Sequence, residues 1–171
     1  MRPIRPFVPA VIAFGIALGS LSVFAAAPVA PPSAAAPAPA FDADLAQRHG
    51  ADELGMRRYV LVVLKTGPTR MPDGEARTAM FAGHMANIQR LAKEGNLAVA
   101  GPFMPSDSGW RGLFILAVES VEEAKALTET DPVIVNGEMV AEYHPWYGSA
   151  ALLATAELHE RMVPPEAAKA D

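Results

Sequence analysis

The chain has 171 residues, 51% of them hydrophobic, with 13 glycines, 16 prolines and no cysteine. That length suits one domain with appendages, and a charged fraction of 19% is too low for a disordered polyelectrolyte. The missing cysteine excludes disulfides, thiolate zinc sites and a thiol nucleophile. The 19 acidic residues against 14 basic ones argue against a nucleic-acid binder, and a mean hydropathy of +0.17 argues against a polytopic membrane protein.

Arg2 and Arg5 give a positive start, and residues 7–27 follow without a charge and mostly apolar. The run ends in small residues, with Val23-Phe24-Ala25 fitting the small-x-small cleavage rule. It reads as a signal peptide over residues 1–25, cut near Ala25, in preference to an uncleaved anchor. Pro9, Gly15 and Gly19 weaken the run as a spanning helix. Loss of Arg2 and Arg5 takes the net charge from −5 to −7, so an acidic exported protein is expected, secreted or periplasmic. Residues 26–55 form a linker and N-terminal extension. Its first part is almost pure proline and alanine and is expected to be a semi-stiff spacer. A short helix is expected in residues 41–55.

Residues 58–65 (RYVLVVLK) are a strand with two apolar faces, Tyr59, Leu61 and Val63 on one and Val60, Val62 and Leu64 on the other. Such a strand needs cover on both sides. Over residues 74–94 the period becomes helical: Phe81, His84, Ile88 and Leu91 share one face. Asp73 is the expected N-cap and Gly95 the stop. Residues 96–103 (NLAVAGPF) are a second strand, and Pro102, which lacks an N–H, puts it at a sheet edge. Residues 110–118 are a third, central strand. Ser120 and Glu123 make a capping box for a short helix ending near Thr128. A helical turn is expected between Asp131-Pro132 and Gly137, then a fourth strand over residues 138–146. Residues 149–171 form a tail of helical composition.

The order β-α-β-β-α-β defines an α+β, ferredoxin-like fold: helices on one face of an antiparallel sheet, the other face open. The open face is apolar here, so a second copy is expected to cover it, giving a dimeric α/β barrel.

His84 stands on the sheet-facing stripe of its helix. Partial loss of hydration there favours the neutral imidazole, which can act as a general base. Spacing alone favours the plainer alternative, a structural histidine bonded to backbone. Asp131 is either a turn or cap carboxylate or the group that orients His84. Glu142, His144 and Trp146 alternate on the last strand and either line a pocket or face solvent. Gly101-Pro102 either brings backbone close to a ligand or ends a strand. Arg70, Arg77 and Arg111 are solvated or meet an anionic substrate. Ser106, Ser108 and Ser120 lie in no nucleophile motif, and Asp107 reads as a turn carboxylate. His84, His144 and Asp131 could ligate a metal, but no close HxH or HxxxH spacing exists, so no metal site is assigned. No GxGxxG or P-loop is present, and no cofactor is assigned.

Taken together, RYVLVVLK, GHMANIQRLAKEGNL with His84, AGPF, WRGLFILAVES, ESVEEAKAL, Asp131-Pro132, Gly137 and the ending His144-Pro145-Trp146 resemble the YCII-related family of small dimeric α/β-barrel proteins. The resemblance spans about ninety residues within a domain at 56–148. It implies a ferredoxin-like homodimer with a His-Asp site, which falls here on His84 and Asp131. The family includes a dehydrochlorinase acting on a chlorinated hydroxyhydroquinone. The function expected is an exported, cofactor-free lyase or isomerase acting on a small cyclic or aromatic substrate. Gly101, Pro102, His144 and Trp146 are the candidate substrate contacts. The alternative is a non-catalytic small-ligand-binding or structural envelope protein with the same dimer fold.

Overall fold

The computed structural model describes residues 40–164. The expected signal peptide and proline-alanine spacer lie outside the described residues, as does the end of the tail. Asp42 accepts a hydrogen bond from the Leu45 amide and so caps a short helix, α1 (Ala43–Arg48). Strand β1 (Met56–Thr66) follows, then helix α2 (Glu75–Lys93) and the strands β2 (Leu97–Pro102) and β3 (Trp110–Leu116). Next come α3 (Val121–Thr128), α4 (Pro132–Val135) and β4 (Met139–Ser149). The sheet runs β2-β3-β1-β4 with every neighbouring pair antiparallel. This is the expected α+β order, β-α-β-β-α-β, with β1 and β3 central.

Both strand prolines sit where a missing N–H does least harm. Pro102 ends edge strand β2, and Pro145 lies in the other edge strand, β4. β4 outruns its expected end at Trp146 because β1 begins two residues early, so that Met56 and Arg57 pair with Ser149 and Gly148. Helix α2 is capped by Gly74, not by the expected Asp73. The Asp73 carboxylate instead accepts from Arg77, 3.2 Å away. Gly95 follows α2 at φ 76°, the left-handed stop its sequence position suggests. Ser120 and Glu123 form the expected reciprocal capping box on α3.

The pairing registers sort the sheet into two faces. Val60, Val62 and Leu64 of β1 stand beside Phe114 and Leu116 of β3 and Ala141 and Tyr143 of β4. Met80 and Leu91 of α2, Ala124 of α3 and Val133 of α4 close over them as the main core. Tyr59, Leu61 and Val63 point the other way with Leu113, Ile115, Glu142, His144 and Trp146.

That second face is partly covered by the chain itself. Past β4 a 3₁₀ turn (Ala150–Ala154) and a last helix, α5 (Thr155–Glu160), fold back over it. Leu152 and Leu153 pack on Tyr59, Ala98 and Ile115, and the Thr155 hydroxyl donates to the Ala98 carbonyl at 2.7 Å. The Tyr59 hydroxyl donates to Ser149 O at 3.0 Å, fixing where the tail leaves the sheet. Towards β4 the face stays open, with Val140 and Trp146 exposed, and Trp110 is exposed at the start of β3.

The tail is therefore part of the domain's packing. Leu152→Ala and Leu153→Ala should each destabilise the fold by about 1 kcal/mol, the value of a half-buried leucine. Chemical denaturation is the measurement; unchanged midpoints in both variants would mean that the tail does not hold to the sheet in solution.

Candidate active site

His84 lies near the middle of α2, one turn from Met80 and two from Leu91, so the helix aims it at the sheet. Its ring stacks on Phe114 of β3 at 6.0 Å, with planes 29° apart, and meets Phe81 edge-on at 6.3 Å. Asp131 arrives from the other side. Pro132 disfavours helical backbone at the residue before it, and Asp131 is extended at φ −82°, ψ 122°. From there it caps α4, accepting from the Val133 amide at 3.1 Å. Pro132 takes the first helical position, where its missing N–H costs nothing.

Gly83 brings the two elements together. A Cβ at this position would sit 3.0 Å from Pro132 Cγ. The glycine beside His84 thus lets α4 approach α2 closely enough for Asp131 to reach the imidazole. His84 Nδ1 lies 2.8 and 2.9 Å from the two Asp131 carboxylate oxygens.

A carboxylate only accepts, so Nδ1 carries the hydrogen facing Asp131, and a neutral ring would then hold its lone pair on Nε2. Among the described residues Nε2 has no hydrogen-bond partner, and it is not among the sealed polar atoms. The His84 side chain keeps 11% of its surface exposed, whereas Asp131 has none. This is the geometry of an oriented base: one ring nitrogen anchored, the other available.

The remaining sequence candidates fall elsewhere. His144 and Trp146 lie on the opposite face of the sheet from His84. There Trp146 packs on Tyr59 at 5.7 Å. His144 lies 2.9 Å from Glu142, which in turn accepts from Lys65 at 3.2 Å. Lys65, and then His144, hold the Glu142 carboxyl below the usual range. Gly101 and Pro102 are exposed at the end of β2, and a Cβ on Gly101 would meet nothing within 4 Å. Within one chain the structure therefore joins His84 to Asp131 and puts the sheet between that pair and His144 or Trp146. Beside the pair, an open groove of about 390 Å³ between α2 and α4 is lined by Gly83, Ala86, Asn87, Arg90, Thr130 and Pro132.

A model of the YCII-related domain matches residues 58–147. The chain belongs to the YCII-related family. Among solved structures, the YCII-related chain is similar to 5-chloro-2-hydroxyhydroquinone dehydrochlorinase from Burkholderia phenoliruptrix AC1100, in complex with 2,5-dihydroxybenzoquinone. The two are 20% identical, the match covers 51% of this chain and 92% of that one, and the TM-score is 0.39. No curated protein matches.

Two features escaped the sequence reading. Asn87, three residues after His84, is buried and donates to Asp131 at 3.2 Å. The clue was present: a polar residue beside the apolar stripe. The second is the pair of partly buried Arg77 and buried Glu138. Glu138 accepts from Arg77 Nη2 at 2.7 Å and from the Met71 amide at 2.8 Å. Arg77 also lies over the Phe81 ring at 4.8 Å, so this pair braces the aromatic wall next to His84. The same corner is tightened at Gly67, where a Cβ would fall 2.1 Å from the Gly137 carbonyl oxygen.

The Arg77 hydrogen bond, then that of the Met71 amide, holds Glu138 below its ordinary value. A carboxylate depressed in the folded state stabilises it at neutral pH, and that stabilisation is lost as pH falls through the folded value. Glu138→Gln should therefore lower Tm at pH 7 and flatten the fall in Tm below about pH 5. Melts from pH 7 to 3 measure this; parallel curves for both proteins would remove Glu138 from the acid transition.

Proposed function

We propose that this YCII-family protein is a cofactor-free lyase or isomerase in which His84 is the general base and Asp131 orients it. The observation that carries the reading is the 2.8 Å contact between the Asp131 carboxylate and His84 Nδ1, with Nε2 left without a partner among the described residues. Phe81, only partly buried edge-on to the imidazole, suits a small cyclic or aromatic substrate. Nε2 takes a proton from substrate carbon or oxygen, and the electron pair of that bond stays on the ring. In an elimination the pair expels a leaving group on the neighbouring carbon. In an isomerisation the imidazolium returns its proton to a different atom. Asp131 keeps the hydrogen on Nδ1 at the start and stabilises the imidazolium in between. Neither route requires an external redox partner.

The same proposal makes the protein an exported homodimer. The uncharged, mostly apolar run of residues 7–27 behind Arg2 and Arg5 supports export. The exposed Val140 and Trp146 on the face left uncovered by the tail support a second copy's sheet as the partner. A second reading, a ligand-binding or structural envelope protein, draws on two observations. Asp131 already serves α4 as its cap, and the groove beside the pair is not lined by His84.

Activity towards hydroxylated and chlorinated hydroquinones and quinones, followed by ring absorbance and chloride release, separates the two readings. His84→Ala should lower turnover by about 10²–10⁴-fold and leave the oligomeric state unchanged. Undiminished turnover in that variant would remove His84 from the chemistry. For the assembly, light scattering should find a dimer, and Val140→Asp should convert it to monomer; a monomeric wild type overturns the homodimer.

A further inference from the structure

A buried amide lies behind the His84–Asp131 pair. Asn87 keeps only 7% of its surface exposed, and it sits one helical turn past His84 on the same side of α2. Its Nδ2 donates to Asp131 Oδ2 at 3.2 Å, the same oxygen that lies 2.8 Å from His84 Nδ1. Its Oδ1 faces Arg90 Nη2 at 2.8 Å and the Thr130 hydroxyl at 3.1 Å.

These partners fix which way the amide points. An arginine has only donors, so the atom facing Arg90 must be the Asn87 oxygen. The nitrogen is then left facing Asp131, which only accepts. Arg90 is itself held in place, with Nη1 2.9 and 3.0 Å from the Glu94 carboxylate and Nη2 3.2 Å from Thr130 Oγ1. Asp131 is thereby gripped from two directions: the Val133 amide holds Oδ1 at 3.1 Å and Asn87 holds Oδ2. Either grip alone would let the carboxylate pivot about its own axis. The two together set its plane, and the plane sets where the imidazole can donate.

We infer that Asn87 is a positioning residue for the base proposed above, acting through Asp131 and itself oriented by Arg90. The inference rests on that reading for its consequence in catalysis, but not for its structural content. The relay runs from solvent-exposed Arg90 through a buried amide and a buried carboxylate to the one ring nitrogen left free. Asn87 does not touch the reacting atoms; it keeps the hydrogen on His84 Nδ1.

The test is the imidazole nitrogen spectrum of His84 in the ¹⁵N-labelled full-length chain at neutral pH, assigned by its loss in His84→Ala. In the wild type one tautomer should dominate, with the hydrogen on Nδ1. Asn87→Leu removes both halves of the amide and should produce a mixture of tautomers. Arg90→Gln, a change at a half-exposed site, should do the same to a smaller extent and serves if Asn87→Leu does not fold. Asn87→Leu should also lower kcat on the quinone panel by about a hundredfold with little change in KM. A His84 spectrum identical to wild type in both variants overturns the inference. A tautomer shift in a protein with no turnover on any ring substrate keeps Asn87 in its place and sinks the lyase reading instead. A purely structural Asn87 would lower Tm and leave the tautomer untouched.

Discussion

A carboxylate stripped of all its water must find donors inside the protein or forfeit the energy of hydration. Asp131 is in that position: fully buried, with partners from two elements. The Val133 amide belongs to the helix it caps, while His84 and Asn87 belong to α2. Among the described residues no other buried group ties these two elements by so many polar contacts. The short helix α4 has only four residues and little intrinsic stability, so it depends on the cap and on Val133 in the core. The close approach permitted by Gly83 is the steric condition for all of this. Two structural roles coincide in one side chain, and the cap that starts α4 also holds the His84 imidazole.

This coincidence resolves an opposition that seemed natural from sequence. An aspartate before proline reads most simply as a cap, and a histidine on an apolar stripe reads most simply as a satisfied core residue. Asp131 is indeed a cap, yet its second oxygen faces α2. His84 is satisfied at Nδ1, but by a carboxylate on another element, and only on one nitrogen. A backbone carbonyl in that place would fix the tautomer without charge. A carboxylate fixes it and also stabilises the protonated ring.

The elements were legible because their signals are local. The strand RYVLVVLK, the Ser120–Glu123 box and the Gly95 stop each follow from a few neighbouring residues, and each appears in the structure. Helix α2 starts one residue later than Asp73 would place it because Arg77, one turn on, competes for that carboxylate. The His84–Asp131 pair was legible only as a possibility, since 47 residues separate the partners and topology alone brings them to one side of the sheet. Asn87 and the Arg77–Glu138 pair were missed for a related reason. Their burial depends on which flank of α2 meets α4 and the loop at Gly67, and periodicity does not encode that. Composition marked residues 149–171 as a helical tail, and tertiary contact decides that its Leu152 and Leu153 pack on the chain's own sheet.

The division of the sheet into two faces bears on how assembly and chemistry relate. His84, Asp131 and Asn87 all stand on the helix-covered side and are complete within one chain. His144, Glu142 and Lys65 form a polar ladder on the other side, beside exposed Trp146 and Val140. A second copy docking there would touch the ladder and not the His84 pair. Its effect on His84 would be transmitted through the strands, above all through β3, whose Phe114 stacks on His84 while the neighbouring Ile115 faces the tail. Phe114 and Ile115 are successive residues on opposite faces of one central strand. A shift of the tail or of a docked partner against Ile115 would therefore be felt at the imidazole as a displacement of its aromatic floor, with the hydrogen-bonded anchor left in place.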